Sequence, residues 1–558
     1  MIQRHWLASY GSISHDIDPD AYRSVVDLME QAMQRFADKP AMRCAGQVLT
    51  YADLNRLSRD FAAYLQGPLG VKKGDRIAVM VPNLLAFPIA FLGIARAGAV
   101  QVNVNPLYTP RELEHQLKDS GAKAIVVLEN FATTLQQVAA KVPTKHVIVA
   151  SMGDLLGLKG LVVNTVVRRV KKLVPAFSLP GSVSFKQALI EGRRMSLKAT
   201  KVGPDDIAVL QYTGGTTGVS KGAMLLHRNL VANILQSEAW YGPAVAKVPK
   251  DQQFTVVCAL PIYHVFGFTA CIMLGMRMGS RNILVANPRD MGAVFKDLKG
   301  EVFHSFPAVN TLFNAMANHP EFGSVKWRNL VLSVGGGSAV QSGTAALWLE
   351  KTGCPICEGY GLSETSPSAS CNPVDSTAYT GTIGVPLPNT ELALLDDDGR
   401  EVPMGTPGEI AIRGPQVMAG YWKRDDETAK VMTQDGFFRT GDIGVVDERG
   451  YFKIVDRKKD MILVSGFNVY PTEIEDVISK MPGVLECAAV GVPDAKTGEA
   501  VKLVIVRKDP ALDEAAVRGY CEAQLTGYKK PKIVEFRTEL PKSTVGKILR
   551  RELREAKK

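Results

Sequence analysis

The stretch from Tyr212 to Gly222, YTGGTTGVSKG, decides how the rest of the chain is read. Glycines that free the backbone, with hydroxyls and one lysine among them, make a loop able to surround phosphate oxygens. It is not a Walker A loop, which needs lysine directly after the last glycine and a hydroxyl directly after the lysine. Here Val219 and Ser220 separate Gly218 from Lys221, and Gly222 follows. The flanks differ as well. IAVLQY before the loop reads as a buried strand, AMLL after it is too short for a helix, and a helical pattern begins only at RNLVANILQ. The loop is therefore expected to join two strands, without a helix dipole behind it. Its phosphate-facing candidates are Thr213, Gly214, Gly215, Thr216, Thr217, Gly218, Ser220 and Lys221.

A chain of 558 residues exceeds what one core holds, so two or more domains are expected. With 46% hydrophobic and 22% charged residues the composition is globular. The formal charge of +10 is modest for the length and suits small anions or a membrane surface; no nucleic-acid partner is expected. From Arg457 onward 20 Lys and Arg stand against 15 Asp and Glu, so half of the excess lies in the last part. Eight cysteines make no disulfide framework. Cys354 and Cys357 have redox or metal spacing but no second pair, and buried thiols in a reducing, cytosolic compartment are expected.

Two apolar segments bear on membranes. No charge occurs between Asp251 and Arg277, a span long enough to cross a bilayer. Pro261, His264 and Gly267 in its middle favour a strand, a loop and a buried helix instead. The segment LGLKGLVVNTVVRRVKKLVPAF puts Leu158, Leu161, Val162, Val166, Val170 and Leu173 on one broad helical face, with basic residues beside it. It fits either peripheral contact with an anionic membrane, on the inner face of the cytoplasmic membrane, or a helix docked on its own protein.

Helical patterns alternating with apolar runs such as RIAVMVPN, VQVNVNP and AKAIVVLE argue for layered α/β structure with buried parallel strands. From Glu391 the texture becomes β-rich, with DDDG and DERG as hairpin turns. The expected organisation is a large α/β domain with a β-rich subdomain over 1–456 and a small α+β domain over 457–558. Thr472 is expected to cap the helix in PTEIEDVISKMPGV.

At this point the chain resembles the acyl-adenylate-forming superfamily. YTGGTTGVSKG is followed in order by YGLSET, RTGD, DRKKD and PKSTVGK. LPIYHVFGF, LSVGGG, DRKKDMILVSGFNVYPTEIEDV and GKILRRELR make it most similar to bacterial long-chain fatty acid–CoA ligases. The resemblance implies the adenylate-forming enzyme fold, a mobile C-terminal domain, and two steps. A fatty acid attacks the α-phosphate of ATP to give acyl-AMP and pyrophosphate; the CoA thiol then displaces AMP. It implies that the loop holds the β- and γ-phosphates, that Tyr360 and Gly361 pack at the adenine beside Gly335, Gly336 and Gly337, and that Ser363 meets the α-phosphate. Glu364, with Thr216, would hold Mg²⁺. Asp442 and Arg457 would hold the ribose, and Lys547 would serve adenylation. Lys459 would be the hinge, Gly466 would face CoA, His264 would lie near the reacting groups, and Phe268 would gate the acyl tunnel.

Three alternatives stay open here: an acyl-AMP ligase loading a carrier protein, a fatty-acid capture role at the membrane, and a homodimer. No carrier domain follows Lys558, which argues against a peptide-synthetase module.

Overall fold

The computed structural model describes residues 5–213, 220–465, 467–544 and 546–554. Gly214, Gly215, Thr216, Thr217, Gly218 and Gly466 lie outside the described residues. Two large sheets carry the first part of the chain. In the seven-stranded one the order is Val183–Ser184, His146–Ala150, Ala124–Leu128, Arg76–Met80, Val100–Asn103, Ile207–Thr213 and Lys221–Leu226. All neighbours are parallel except the last two strands, which run antiparallel. The strands Ile207–Thr213 and Lys221–Leu226 thus pair with each other, and the helix His227–Val245 starts only after the second. The strand Ala124–Leu128 is buried at every position, as its AIVVL run requires of a parallel strand covered on both faces.

The nine-stranded sheet runs Val385–Pro386, Ser368–Cys371, Ile356–Gly361, Leu332–Gly335, Ser305–Ala308, Thr255–Cys258, Arg281–Leu284, Pro40–Cys44 and Gln47–Thr50. Its middle is parallel and its two ends are antiparallel. The uncharged stretch after Asp251 forms its strand Thr255–Cys258, then a loop, then the buried helical turns Gly267–Met273 and Leu274–Arg277. Among the described residues no helix is long and apolar enough to cross a membrane. The helices around both sheets start where local chemistry allows. Thr50 with Asp53, and Thr109 with Glu112, form reciprocal capping boxes.

An aromatic cluster fills the core beside Leu332–Gly335. Trp348 is fully buried, its ring 4.8 Å from Phe313 and 5.1 Å from Trp327, and its Nε1–H donates to Ser333 Oγ at 3.0 Å.

Glu391–Leu395, Gly408–Arg413, Phe438–Val446 and Phe452–Arg457 make an antiparallel four-stranded sheet. DERG turns between its last two strands, and DDDG closes a short hairpin bridged by Leu395 and Glu401. The register of this sheet sets Asp442 opposite Arg457. Residues 462–537 form a separate five-stranded sheet with its own buried apolar cluster around Ile474, Leu503 and Val517. Its helix Pro471–Ser479 is not capped by Thr472: Tyr470 is the N-cap and Pro471 the first helical residue. Proline there pre-sets φ and lacks only a donor that would be unpaired anyway. The N–H of Thr472 donates to Asp456 Oδ2 at 2.9 Å instead.

Replacing Trp348 by alanine should cost about 3–5 kcal/mol, from lost contacts and a cavity the cluster cannot close. Urea unfolding of Trp348→Ala should begin at clearly lower concentration than in the parent. Leu463→Ala, at an exposed position, should leave the transition in place.

Candidate active site

The two large sheets, the four-stranded sheet and the C-terminal unit meet around a cavity of about 1080 Å³. The seven-stranded sheet contributes Thr213 and Lys221, and the turn after Leu332–Gly335 contributes Gly336 and Gly337. Tyr360, Gly361, Ser363 and Glu364 come from the end of Ile356–Gly361 and the turn that follows. His264 enters from the loop after Thr255–Cys258, Asp442 and Arg457 from the four-stranded sheet, and Lys459 and Lys547 from the chain beyond it. Thirteen of the residues expected at a site, scattered over more than 300 positions, thus share one wall. Close approach explains two glycines. A Cβ on Gly361 would lie 1.8 Å from the Pro367 carbonyl oxygen, and one on Gly336 would lie 3.0 Å from the Phe266 ring.

Three expectations are corrected. Phe268 does not line the cavity; it is fully buried between Phe87 and Phe91, with ring centroids 6.0 and 4.6 Å away. A helical turn of π type runs from Gly267, which sends Phe268 into the core and leaves Phe266 on the cavity wall. Gly335 faces the core as well: a Cβ there would meet Val340 and Ile356 at 2.5 and 2.8 Å. Ser220 is not on the wall, and its carbonyl contacts His115 Nε2 at 3.0 Å. Cys354 and Cys357 are free, buried thiols, and burial pushes Cys357 up to about 12.

Asp442 is the pivot of the charged wall. It is 3% exposed, accepts from the Tyr360 hydroxyl at 2.7 Å through Oδ2, and pairs with Arg457 Nε at 3.1 Å through Oδ1. A carboxylate offers about four acceptor sites, so room remains for two hydroxyl donors. Glu364 is buried and accepts from the Tyr421 hydroxyl at 2.8 Å; burial raises its pKa. Lys221 pairs with Glu427 and lies 5.0 Å over the Tyr421 ring, so an incoming anion must draw it from that partner.

Lys547 sits in a tight turn. Ser543 N–H donates to its carbonyl at 2.7 Å, and Thr311 Oγ1 donates to the Gly546 carbonyl at 3.0 Å, fixing the turn against the first part of the chain. Among the described residues Lys547 has no carboxylate within ion-pair distance. Burial, then the Arg457 cation, bring its pKa down to about 7, against the pull of Asp442. Lys459 is lowered to about 8 by burial and then Arg457. His264 falls to about 4 through burial and then Lys547, so it is neutral at physiological pH. Cations that depress one another in this way regain their charge when an anion binds beside them.

Sequence reading missed Arg550. It pairs with Glu475 at 2.6 Å, Asp456 at 3.2 Å and Asp460 at 3.6 Å, and so ties the lysine turn to the segment 456–460. The only signal was the two aspartates of DRKKD and the arginine pair after GKIL. Glu358 was missed too: it is buried, lines the cavity, accepts from Val340 N–H at 3.0 Å, and is raised by burial to about 8.

Residues 29–422 match the AMP-binding enzyme family, and residues 473–547 match the AMP-binding enzyme C-terminal domain. The chain belongs to the AMP-binding enzyme family. A long-chain-fatty-acid–CoA ligase of Escherichia coli O6:H1 is 53% identical over 556 residues, 99% of this chain and 98% of that protein. One from Bacillus subtilis strain 168 is 34% identical over 561 residues, covering 99% and 98%. Among solved structures, an anthranilate CoA ligase in complex with anthranoyl-AMP overlaps with a TM-score of 0.85 at 25% identity, over 96% of this chain and 98% of that one. ATP-bound MatB from Rhodopseudomonas palustris gives 0.80 at 30% identity, over 95% and 98%, and the apo form of the same protein gives 0.72 over the same shares.

The lowered pKa of Lys547 gives a signed prediction for this AMP-binding enzyme. A bound polyphosphate favours the charged ammonium, so its pKa rises on binding and a proton is taken up at and above about pH 7. ATP affinity should therefore fall as pH rises through neutrality. Calorimetric titration of ATP in buffers of different ionisation enthalpy, slightly above neutral pH, should show this uptake, and Lys547→Met should lose it.

Proposed function

We propose that this enzyme is a long-chain fatty acid–CoA ligase that forms acyl-AMP from a fatty acid and ATP, then transfers the acyl group to CoA. The observation that carries the reading is a half-buried lysine, Lys547, with no carboxylate in ion-pair distance among the described residues, in one cavity with Asp442, Glu364 and a neutral His264. The same cavity has apolar residues in its lining, among them Trp240, Tyr241, Leu260, Ile383 and Leu387, which suits an alkyl chain. The relatives of this chain over its full length carry the same activity in their names.

Adenylation brings a carboxylate to a phosphorus already surrounded by negative oxygen. A carboxylate oxygen bonds to the α-phosphorus while the bond to the bridging oxygen breaks, and pyrophosphate leaves with that electron pair. The Lys547 ammonium, with Arg457 beside it, offsets charge that builds at the α-phosphate. Losing one such contact costs about 3–4 kcal/mol of barrier. Asp442 would accept from the ribose hydroxyls, and the Tyr360 ring would pack on the adenine. Neutral His264 can donate to an oxygen of the reacting groups without adding charge. In the second step the CoA thiol gives up its proton to solvent as its sulfur bonds to the acyl carbon, and AMP leaves with the electron pair of the acyl–oxygen bond that breaks.

Among the described residues no group of three His, Cys, Asp or Glu could hold a metal ion. Mg²⁺ fits that pattern here, because it binds through one or two carboxylates plus substrate phosphates and water. Glu364 is the buried carboxylate that would hold it, and the ion would neutralise phosphate charge.

We place the boundary of the mobile unit at 456/457, with Lys459 as its hinge. The separate sheet and core of residues 462–537 support this, as does the closer overlap with ATP-bound than with apo MatB.

Purified protein given ATP, Mg²⁺, CoA and fatty acids of graded length should yield acyl-CoA, AMP and pyrophosphate by mass spectrometry. Acyl-AMP persisting beside CoA would move the acceptor to a carrier protein, and ADP with phosphate would refute adenylation. Lys547→Ala should lose acyl-AMP formation by a factor of roughly a few hundred. It should still convert supplied acyl-AMP to acyl-CoA.

One observation also favours peripheral membrane contact. Leu158 is 86% exposed and Val170 71%, and Leu161, Val162 and Leu173 are more than half exposed, along the helix Gly157–Thr165, its continuation Val166–Val170 and the residues just after it. Arg168 is held by Glu129 and Lys159 by the Ala45 carbonyl, whereas Arg169, Lys171 and Lys172 are exposed without an ion-pair partner among the described residues. Each such charge near an anionic bilayer contributes about 1 kcal/mol. Converting all three to glutamine should weaken co-sedimentation with anionic vesicles on the order of a hundredfold. Unchanged co-sedimentation would remove this contact.

A further inference from the structure

The helix Ser342–Thr352 starts without a cap of its own. Its N-cap residue, Gln341, makes no side-chain hydrogen bond to the first turn. Instead, the Ser342 N–H and hydroxyl donate to Asp476 Oδ1 at 3.1 and 2.6 Å. Asp476 belongs to the helix Pro471–Ser479 of the C-terminal unit, 134 residues away in sequence, and its other oxygen accepts from Lys480 at 3.0 Å. A carboxylate at this point answers both an unpaired N–H and the positive end of the helix dipole. The next residue makes the approach feasible. A Cβ on Gly343 would stand 2.8 Å from the Ser479 carbonyl oxygen, so glycine lets the last turn of the C-terminal helix lie against the first turn of its neighbour.

Beside the hinge, Asp456 accepts from the Thr472 N–H at 2.9 Å and from Arg550 at 3.2 Å, and hydrogen bonds farther from it are neutral or have an exposed partner. Asn314 Nδ2 donates to the Leu485 carbonyl at 2.8 Å, Thr311 Oγ1 to the Gly546 carbonyl at 3.0 Å, and Lys508 to Asn318 at 2.9 Å. The Asp476 contact joins a charge to a helix end and exists only while the two helices face each other. If the unit turns about Lys459, the helix at Ser342 loses its cap and Asp476 keeps only Lys480.

We propose that Asp476, Ser342 and Gly343 form a docking latch whose strength sets the share of enzyme in the adenylating orientation. These are positioning residues that act through the placement of Lys547. The inference rests on the two-step, two-orientation reading given above. A cap of this kind accounts for about a fivefold bias between docked and undocked forms.

The test compares two half-reactions in the full chain. One is fatty-acid-dependent exchange of pyrophosphate into ATP; the other is formation of acyl-CoA from supplied acyl-AMP and CoA. Asp476→Ala should lower the first about fivefold relative to the second, with the second unchanged or faster. Gly343→Ala guards against misfolding, because alanine inside a helix is intrinsically better than glycine. It should keep or raise the melting temperature while exchange falls. Equal loss of both half-reactions in Asp476→Ala and Gly343→Ala, or no change in either, would overturn the latch. Lys547→Ala, run in parallel, separates the levels: if it fails to divide the half-reactions, the underlying reading falls and the latch with it. If it divides them and Asp476→Ala does not, only the latch falls.

Discussion

Asp442 keeps a group of cations in one place. Arg457 pairs with it directly, and Lys547 and Lys459 feel its charge while Arg457 pushes both toward neutrality. Burying one carboxylate among several basic groups is costly unless each is hydrogen-bonded or waits for a counter-ion. Tyr360 and Arg457 satisfy Asp442, and Arg550 is satisfied by Glu475, Asp456 and Asp460. Among the described residues Lys547 and Lys459 are left without a carboxylate in ion-pair distance, so the cavity wall carries basic groups that a bound anion would complement.

That constraint explains the architecture around it. Register in the four-stranded sheet brings Asp442 and Arg457 face to face, so two residues 15 positions apart form a pair without loop flexibility. Parallel strands of the nine-stranded sheet end at the cavity, where the turn carrying Gly336 and the strand end carrying Tyr360 expose backbone and an aromatic face. The C-terminal unit has its own core and meets this platform through polar contacts such as Thr311 with Gly546, Asn314 with Leu485 and Ser342 with Asp476. Inter-domain surfaces of that kind hold an orientation by small increments, so one helix cap can matter.

Much of the fold was legible. The strand-loop-strand reading at Tyr212 followed from the short run AMLL, and the uncharged stretch after Asp251 resolved into strand, loop and helical turns because of Pro261 and Gly267. Motif order located Glu364, Asp442, Arg457 and Lys547, all of which reach one cavity. The errors were ones of direction. Phe268 and Gly335 lie in the right segments but point into the core, because a π-type turn and the strand pleat decide orientation residue by residue. Thr472 looked like a cap, yet the helix starts at Pro471, two residues earlier than that cap implies.

The sequence by itself determined the chemistry on offer, because hydroxyls, carboxylates and basic groups must be encoded at their positions and the apolar periods dictate local structure. Only the tertiary structure decided which charges would be paired and which left waiting. Arg550 and Lys547 are three residues apart and both basic. One is saturated by carboxylates drawn from residues 456, 460 and 475, and the other is half-buried at the cavity with none in ion-pair distance among the described residues. Pairing and desolvation depend on distances between distant segments, and folding alone fixes those distances.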